Sequence, residues 1–546
     1  MPKAWASDDL LLDALSAELA RSWEVFSQQE QPPYFAQLAV EDVTKTRLQA
    51  VSGASAGVYR SHLRDGDVDI RVGSMELDNT HKIRDQGWMD ADFRAGLTLP
   101  IEDDSRALQL AIWRALDDSW RAALRRLIKV QNNEQIKVSR EDGSADFSVA
   151  PVVVDIGDRV SVSVDEEVWV GRLRRLSAIV LEEESVQESS VGLMVEDRVL
   201  YVLNTEGTRV RTQRVRVRLS IHLSLVAEDG MNLQVYEAFD AHSLGALPEE
   251  AELARAVREA AARLTALGEA PVVDPYVGPA ILRGRAAAVF FHEILGHRVE
   301  GHRQKDEDEG QTLRDKVGEP IFPDFIDVVD DPSLRTLEGV ELNGHYVYDE
   351  EGVRGQRVQI VDDGVLEGFL MSRAPIEGFA RSNGHGRRQS GHAVVARQGN
   401  LQVIAEEASL SLDELREELI REIKAQGKPF GLIFDDISGG FTTTGRSTPN
   451  SYAIQPTVVW RVYPDGRPDE LVRGVDLIGT PLTTFSRIQA ASDTVEVFNG
   501  MCGAESGWVP VSASAPDLLV SEIEVQRKNR GQERPPLLPP PSETAP

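Results

Sequence analysis

One cysteine in 546 residues excludes any disulfide within the chain and gives no sign of an oxidising compartment, which leaves Cys502 free for chemistry. No uncharged apolar run reaches the roughly 18 residues of a membrane span, and the stretch opening Met1-Pro2-Lys3-Ala4-Trp5 lacks an apolar signal core. A cytoplasmic protein is therefore expected, with an upstream start that adds an export signal as the alternative. Basic charge is in deficit. The formal net charge of −30 repels phosphate backbones and anionic lipid, which argues against nucleic acid or a membrane as partner. The one basic run, 209–218, alternates arginine with valine from Arg214 to Arg218 and reads as the solvated face of a half-buried strand. With 41% apolar and 27% charged residues the chain is neither disordered nor fibrous. It is well beyond the roughly 250–300 residues at which single cores stop growing, so two or more domains are expected.

Leu10, Leu11, Leu12, Leu15 and Leu19, preceded by Ser7-Asp8-Asp9, predict a capped amphipathic helix ending near Phe26. Further helices are expected over about 104–130, 248–267 and 411–426. The stretch 150–240 reads as strands separated by acidic turns. Residues 271–279 read as a linker and 280–299 as one strongly apolar helix. Helices and strands are segregated rather than regularly alternating, which predicts an α+β fold: a mixed N-terminal α/β scaffold, then a motif helix, then a largely antiparallel C-terminal sheet. The expected division is an N-terminal domain over 1–270, a C-terminal domain over 271–530 and a disordered proline-rich tail over 531–546.

The chemistry concentrates in Phe290-Phe291-His292-Glu293-Ile294-Leu295-Gly296-His297. Two histidines and a carboxylate are the inventory of a zinc hydrolase helix, with one residue more between the histidines than HExxH. Neutral imidazoles suit zinc, and a carboxylate beside one ligand is placed to take a proton from water on the metal. The competing reading is a pair of helical histidines satisfied by backbone or solvent. A glutamate following the apolar run from Ala286 to Phe291 favours the metal. On a regular helix His292 and His297 would stand about 140° apart, so an irregular turn, such as a π-bulge at Gly296, is expected between them.

The sequence resembles the TldD/PmbA family of modulator-type metallopeptidases. The resemblance is carried by His292-Glu293 with Gly296-His297-Arg298-Val299-Glu300-Gly301, Tyr348-Asp349-Glu350-Glu351-Gly352, Asn383-Gly384-His385-Gly386-Arg387-Arg388, Ser438-Gly439-Gly440 and Asn499-Gly500-Met501-Cys502-Gly503. It implies an enzyme in which Cys502 is the third zinc ligand, beside His292 and His297, with Glu293 as general base activating a zinc-bound water. It also implies an unfolded or short peptide as substrate and a dimer, either of this chain or with another subunit of the family. Arg387 and Arg388 are candidates for binding a peptide carboxylate. Gly439 and Gly440 are candidates for the edge beside which an extended peptide adds as a strand. His302 is expected near the metal without ligating it. The rival readings are a non-catalytic metal-binding partner subunit and a metal-dependent hydrolase of small amides.

Overall fold

The computed structural model describes residues 9–83, 96–134, 142–405, 409–447 and 451–528. The expected tail lies outside them.

Two large sheets organise the described residues. The first has seven strands, drawn from residues between Pro33 and Ala241, and four long strands form its antiparallel centre: Ala54–Val72, Pro33–Val51, Glu188–Asn204 and Arg209–Val226. Helices cover it. Leu10–Phe26 starts where Asp9 accepts a hydrogen bond from Leu12 N, and its buried Leu11, Leu12, Leu15 and Leu19 share a core with the helix Ser105–Glu134. Glu166–Ala178 and Glu250–Glu269 bury Leu173, Leu176, Val257 and Leu264 in a second core on the same sheet. The helix Glu166–Ala178 departs from the expected strand-and-turn reading of 150–240. Its Val168, Trp169 and Val170 favour strand locally, but Asp165 caps its first turn and Glu166 and Glu167 favour a helix N-terminus.

The second sheet has twelve strands, drawn from residues between Tyr276 and Arg527. Five of them close on themselves: Tyr276–Leu282, Gly431–Thr442, Tyr452–Val462, Val475–Gly479 and Gly507–Arg527, the last pairing back with the first. Tyr276–Leu282 is thus a buried strand where the sequence suggested linker and helix, since a short apolar run has no periodicity to separate the two. The helix expected over 280–299 is confined to Gly284–Ile294, with Ala286 to Ile294 all buried, as befits a helix apolar on every side. The expected helix near 411–426 forms as Leu412–Ala425, started by a reciprocal capping box between Ser411 and Glu414. The class is α+β, with sheets that are largely antiparallel.

The arginines of Arg209–Val226 are not a solvated face. Arg216 reaches Glu196 and the Met501 sulfur, and Arg218 binds Asp240 and donates to Asn499 O at 3.1 Å. Alternation shows which residues share a face but not what covers it. Here the second sheet covers it. Among the described residues no helix is long and apolar enough to cross a membrane.

Candidate metal centre

His292 and Glu293 occupy the last turn of the helix Gly284–Ile294. The last regular bond runs from Leu295 N to Phe291 O, and Leu295 leaves ideal helical geometry at φ −114°, ψ −52°. A tight 3₁₀ turn, Gly296–Val299, follows and carries His297. The expected irregularity is present, but as a helix end rather than a π-bulge. The Arg298 guanidinium caps that end by donating to Glu293 O and Ile294 O. Gly296 is needed for close approach: a Cβ there would lie 2.0 Å from the Gln398 Oε1 atom.

The break brings the two imidazoles together, with ring centroids 5.1 Å apart. Cys502 comes from the strand Ile488–Ala504, held in register by Val509 opposite, and its Sγ lies 3.4 Å from His297 Nε2. One donor atom from each of His292, His297 and Cys502 lies within 4.8 Å of the other two, and all three residues are buried. Burial disfavours charge on each. Their mutual attraction overrides it, raising both histidines and holding the Cys502 thiol well below its usual pKa. A thiolate is the form that binds a metal. Two nitrogens and one sulfur are a zinc donor set, and tetrahedral zinc would want them about 3.3–3.6 Å apart, the separation the Cys502–His297 pair already has. The residues fit the metal.

The sequence assigns Glu300 no role beyond its place in the motif, and its spacing of three from His297 is the available signal. It is fully buried, 3.3 Å from His297 Nδ1, and accepts hydrogen bonds from Arg303 and Arg397. Burial alone would raise its pKa; His297, Arg303 and Arg397 bring it down to about 2. This ionised carboxylate holds His297 by Nδ1 and turns Nε2 toward Cys502. Arg397 also donates to Cys502 O at 2.9 Å, tying the cysteine strand to the same carboxylate.

Glu293 is buried, and its Oε2 has no hydrogen-bond partner among the described residues. Burial raises its pKa in spite of the two histidines. Beyond it opens a cleft of about 900 Å³ lined by His292, Glu293, Gly439, Gly440, Asn499 and Met501, among others. Gly440 packs directly on the carboxylate stem, where a Cβ would lie 2.9 Å from Glu293 Cγ.

Arg387 and Arg388 do not line this cleft, contrary to expectation. Arg387 donates to Gln398 O and stacks over Tyr346, while Arg388 pairs with Asp67; both are buried. A glycine-rich loop reads as exposed in sequence, and here its part from Gly384 to Arg388 is buried, with Asp67, Tyr346 and Gln398 against the two arginines. His302 binds Glu505 and stands outside the histidine–cysteine group.

Residues 276–527 match the family model for the PmbA/TldA metallopeptidase C-terminal domain. Curated relatives include a metalloprotease of Methanothermobacter thermautotrophicus, 28% identical over 63% of this chain and 73% of that protein. A metalloprotease TldD homolog of Haemophilus influenzae is 27% identical over 64% of this chain and 69% of its own length. The C-terminal part of the chain, residues 276–527, is a TldD/PmbA-type C-terminal domain. A further relative is a zinc metalloprotease TldD homolog of Saccharolobus solfataricus, 25% identical over 47% of this chain and 53% of that protein. Among solved structures, TldE from Thermococcus kodakarensis covers 94% of this chain and 100% of its own at a TM-score of 0.61. Its 15% identity establishes the shared fold. The names of these relatives support a metallopeptidase at the level of the family.

Proposed function

We propose that this chain is a zinc metallopeptidase that cleaves unfolded or short peptides, with His292, His297 and Cys502 holding the metal. The observation that carries the reading is the convergence of those three donors beside a buried carboxylate whose Oε2 has no partner, at the floor of an open cleft. Zinc, when bound, supplies Lewis acidity, polarising the scissile carbonyl and making water easier to deprotonate. Glu293 takes the proton from the attacking water and delivers it to the leaving amine. Its low-dielectric setting keeps its basicity high enough for that exchange.

The strand Gly431–Thr442 supports an extended substrate. It pairs with Tyr276–Leu282 only through Leu432, Ile433 and Phe434, so beyond Phe434 that edge has no strand partner among the described residues. Asp436, Ile437, Ser438, Gly439 and Gly440 of this stretch line the cleft. A peptide added there gains backbone hydrogen bonds independent of its sequence, and the two glycines let it approach closely. We further propose a cytoplasmic dimer, formed by two copies or with another TldD/PmbA-family subunit.

Metal analysis of the purified protein combined with hydrolysis of unstructured peptides of increasing length tests this reading. Expected are about one zinc per chain, cleavage that is lost on chelation and restored by zinc, and a preference for peptides over single amides. Cleavage of small amides alone selects the amide hydrolase reading. A fully loaded protein inert toward all of them selects the non-catalytic subunit. Glu300→Gln removes the charge that holds His297 and is expected to weaken zinc binding by about 10–100-fold, read by competition with a chromogenic chelator. Unchanged zinc affinity would show that His297 needs no such support.

A further inference from the structure

A second cavity, of about 360 Å³, lies against the first sheet, lined by Arg214 from Arg209–Val226 and by His242, His345, Tyr346 and Arg335. Arg214 extends from the same strand face as Arg218, which lines the cleft, and four residues of strand separate them by about 13 Å. Its charge is unbalanced. Arg214 makes one long hydrogen bond, from Nη1 to His345 O at 3.4 Å, and among the described residues no carboxylate pairs with it. Glu350, the buried acid on the cavity wall, is held by Arg198 at 2.9 Å, and Arg198 is held by Glu41 as well. Asp158 is exposed, and so is Arg335.

Arg387 adds to the same excess. It is 1% exposed, stacks on the Tyr346 ring that lines the cavity, and its Nε has no partner among the described residues. Burial, with Arg198, Arg387 and Arg216 nearby, pushes Arg214 down to about 9. Burial and the charges of Arg335 and Arg214 hold His242 and His345 below their usual values as well. A guanidinium does not shed its proton under physiological conditions, so such a charge is stabilised by an anion or carried at a cost.

We propose that this cavity is a binding site for a small oxyanion, a phosphate or carboxylate group, with Arg214 as its principal partner and Arg335 at the exposed side. The planar guanidinium offers paired donors that match either group, and two imidazoles and the Tyr346 ring bound a space large enough for a compact molecule bearing it. The proposal is independent of the metal reading, since none of the lining residues belongs to the histidine–cysteine group.

Calorimetric titration of the full chain with inorganic phosphate, and with one peptide carried as its free acid and as its C-terminal amide, tests it. Saturable phosphate binding identifies a free oxyanion ligand. Binding of the free-acid peptide and not its amide identifies a substrate terminus. In either case Arg214→Met is expected to weaken binding by about 10–100-fold, the loss of a charge-assisted hydrogen bond, and to raise the melting temperature of the ligand-free protein by removing a half-buried charge that no carboxylate pairs with among the described residues. Arg335→Gln, an exposed change that leaves folding untouched, is expected to weaken binding severalfold. Absence of saturable binding to wild type, or equal binding by both variants, overturns the proposal.

Discussion

Glu293→Gln is expected to keep its metal and lose turnover by about 10²–10⁴-fold, the usual contribution of a positioned general base. The carboxylate is not one of the three converging donors, so its replacement removes no ligand. Glutamine has nearly the same volume, fills the space beneath Gly440, and leaves the Arg298 cap intact because that cap uses the backbone oxygens of Glu293 and Ile294. What the amide cannot do is accept a proton from water at neutral pH. Zinc content by atomic emission, melting temperature and kcat on an unstructured peptide separate these effects. Equal zinc, equal melting temperature and activity within about tenfold of wild type would remove Glu293 from the base role.

The convergence of His292 and His297 was legible because it is local. His292, Glu293 and His297 lie within six residues, and the angle between the two histidines required the helix to be interrupted between them. The kind of interruption was not legible, since a π-bulge and a helix end both realign the imidazoles. Packing chose the latter: Gly296 lies against buried Gln398, and Arg298 caps the broken end. The burial of Arg387 and Arg388 was not legible for the opposite reason. Their flanking glycines describe the backbone, whereas their burial depends on Tyr346 and Asp67, at about 40 and 320 residues' remove. The same distance dependence hid the destination of the arginine face on Arg209–Val226, whose partners Asn499 and Met501 are nearly 300 residues away. Glu300 was visible at its spacing of three, but only the 3₁₀ turn aims it at His297 Nδ1.

Cys502→Ala is expected to lower zinc occupancy and activity together, because it leaves two imidazoles where three protein donors converge. Cys502→Ser should be nearly as harmful, since a serine hydroxyl stays protonated where the Cys502 thiol is driven toward thiolate by His292 and His297. The fold should survive either change. Cys502 sits in a small cluster with Val509 and Val511, and the strand around it is pinned by its own ladder from Asn499 to Ala504 and by Arg397 on the Cys502 carbonyl. Loss of one sulfur atom there removes little buried area, so a melting temperature in the absence of metal close to wild type is expected. Loss of the stabilisation that added zinc gives the wild type follows by mass action, since the metal binds the folded state. That difference is the readout that distinguishes a ligand from an inert buried thiol. A buried thiol with no metal to hold would show the reverse pattern, with equal zinc content, equal zinc-dependent stabilisation and equal turnover in Cys502→Ala and wild type.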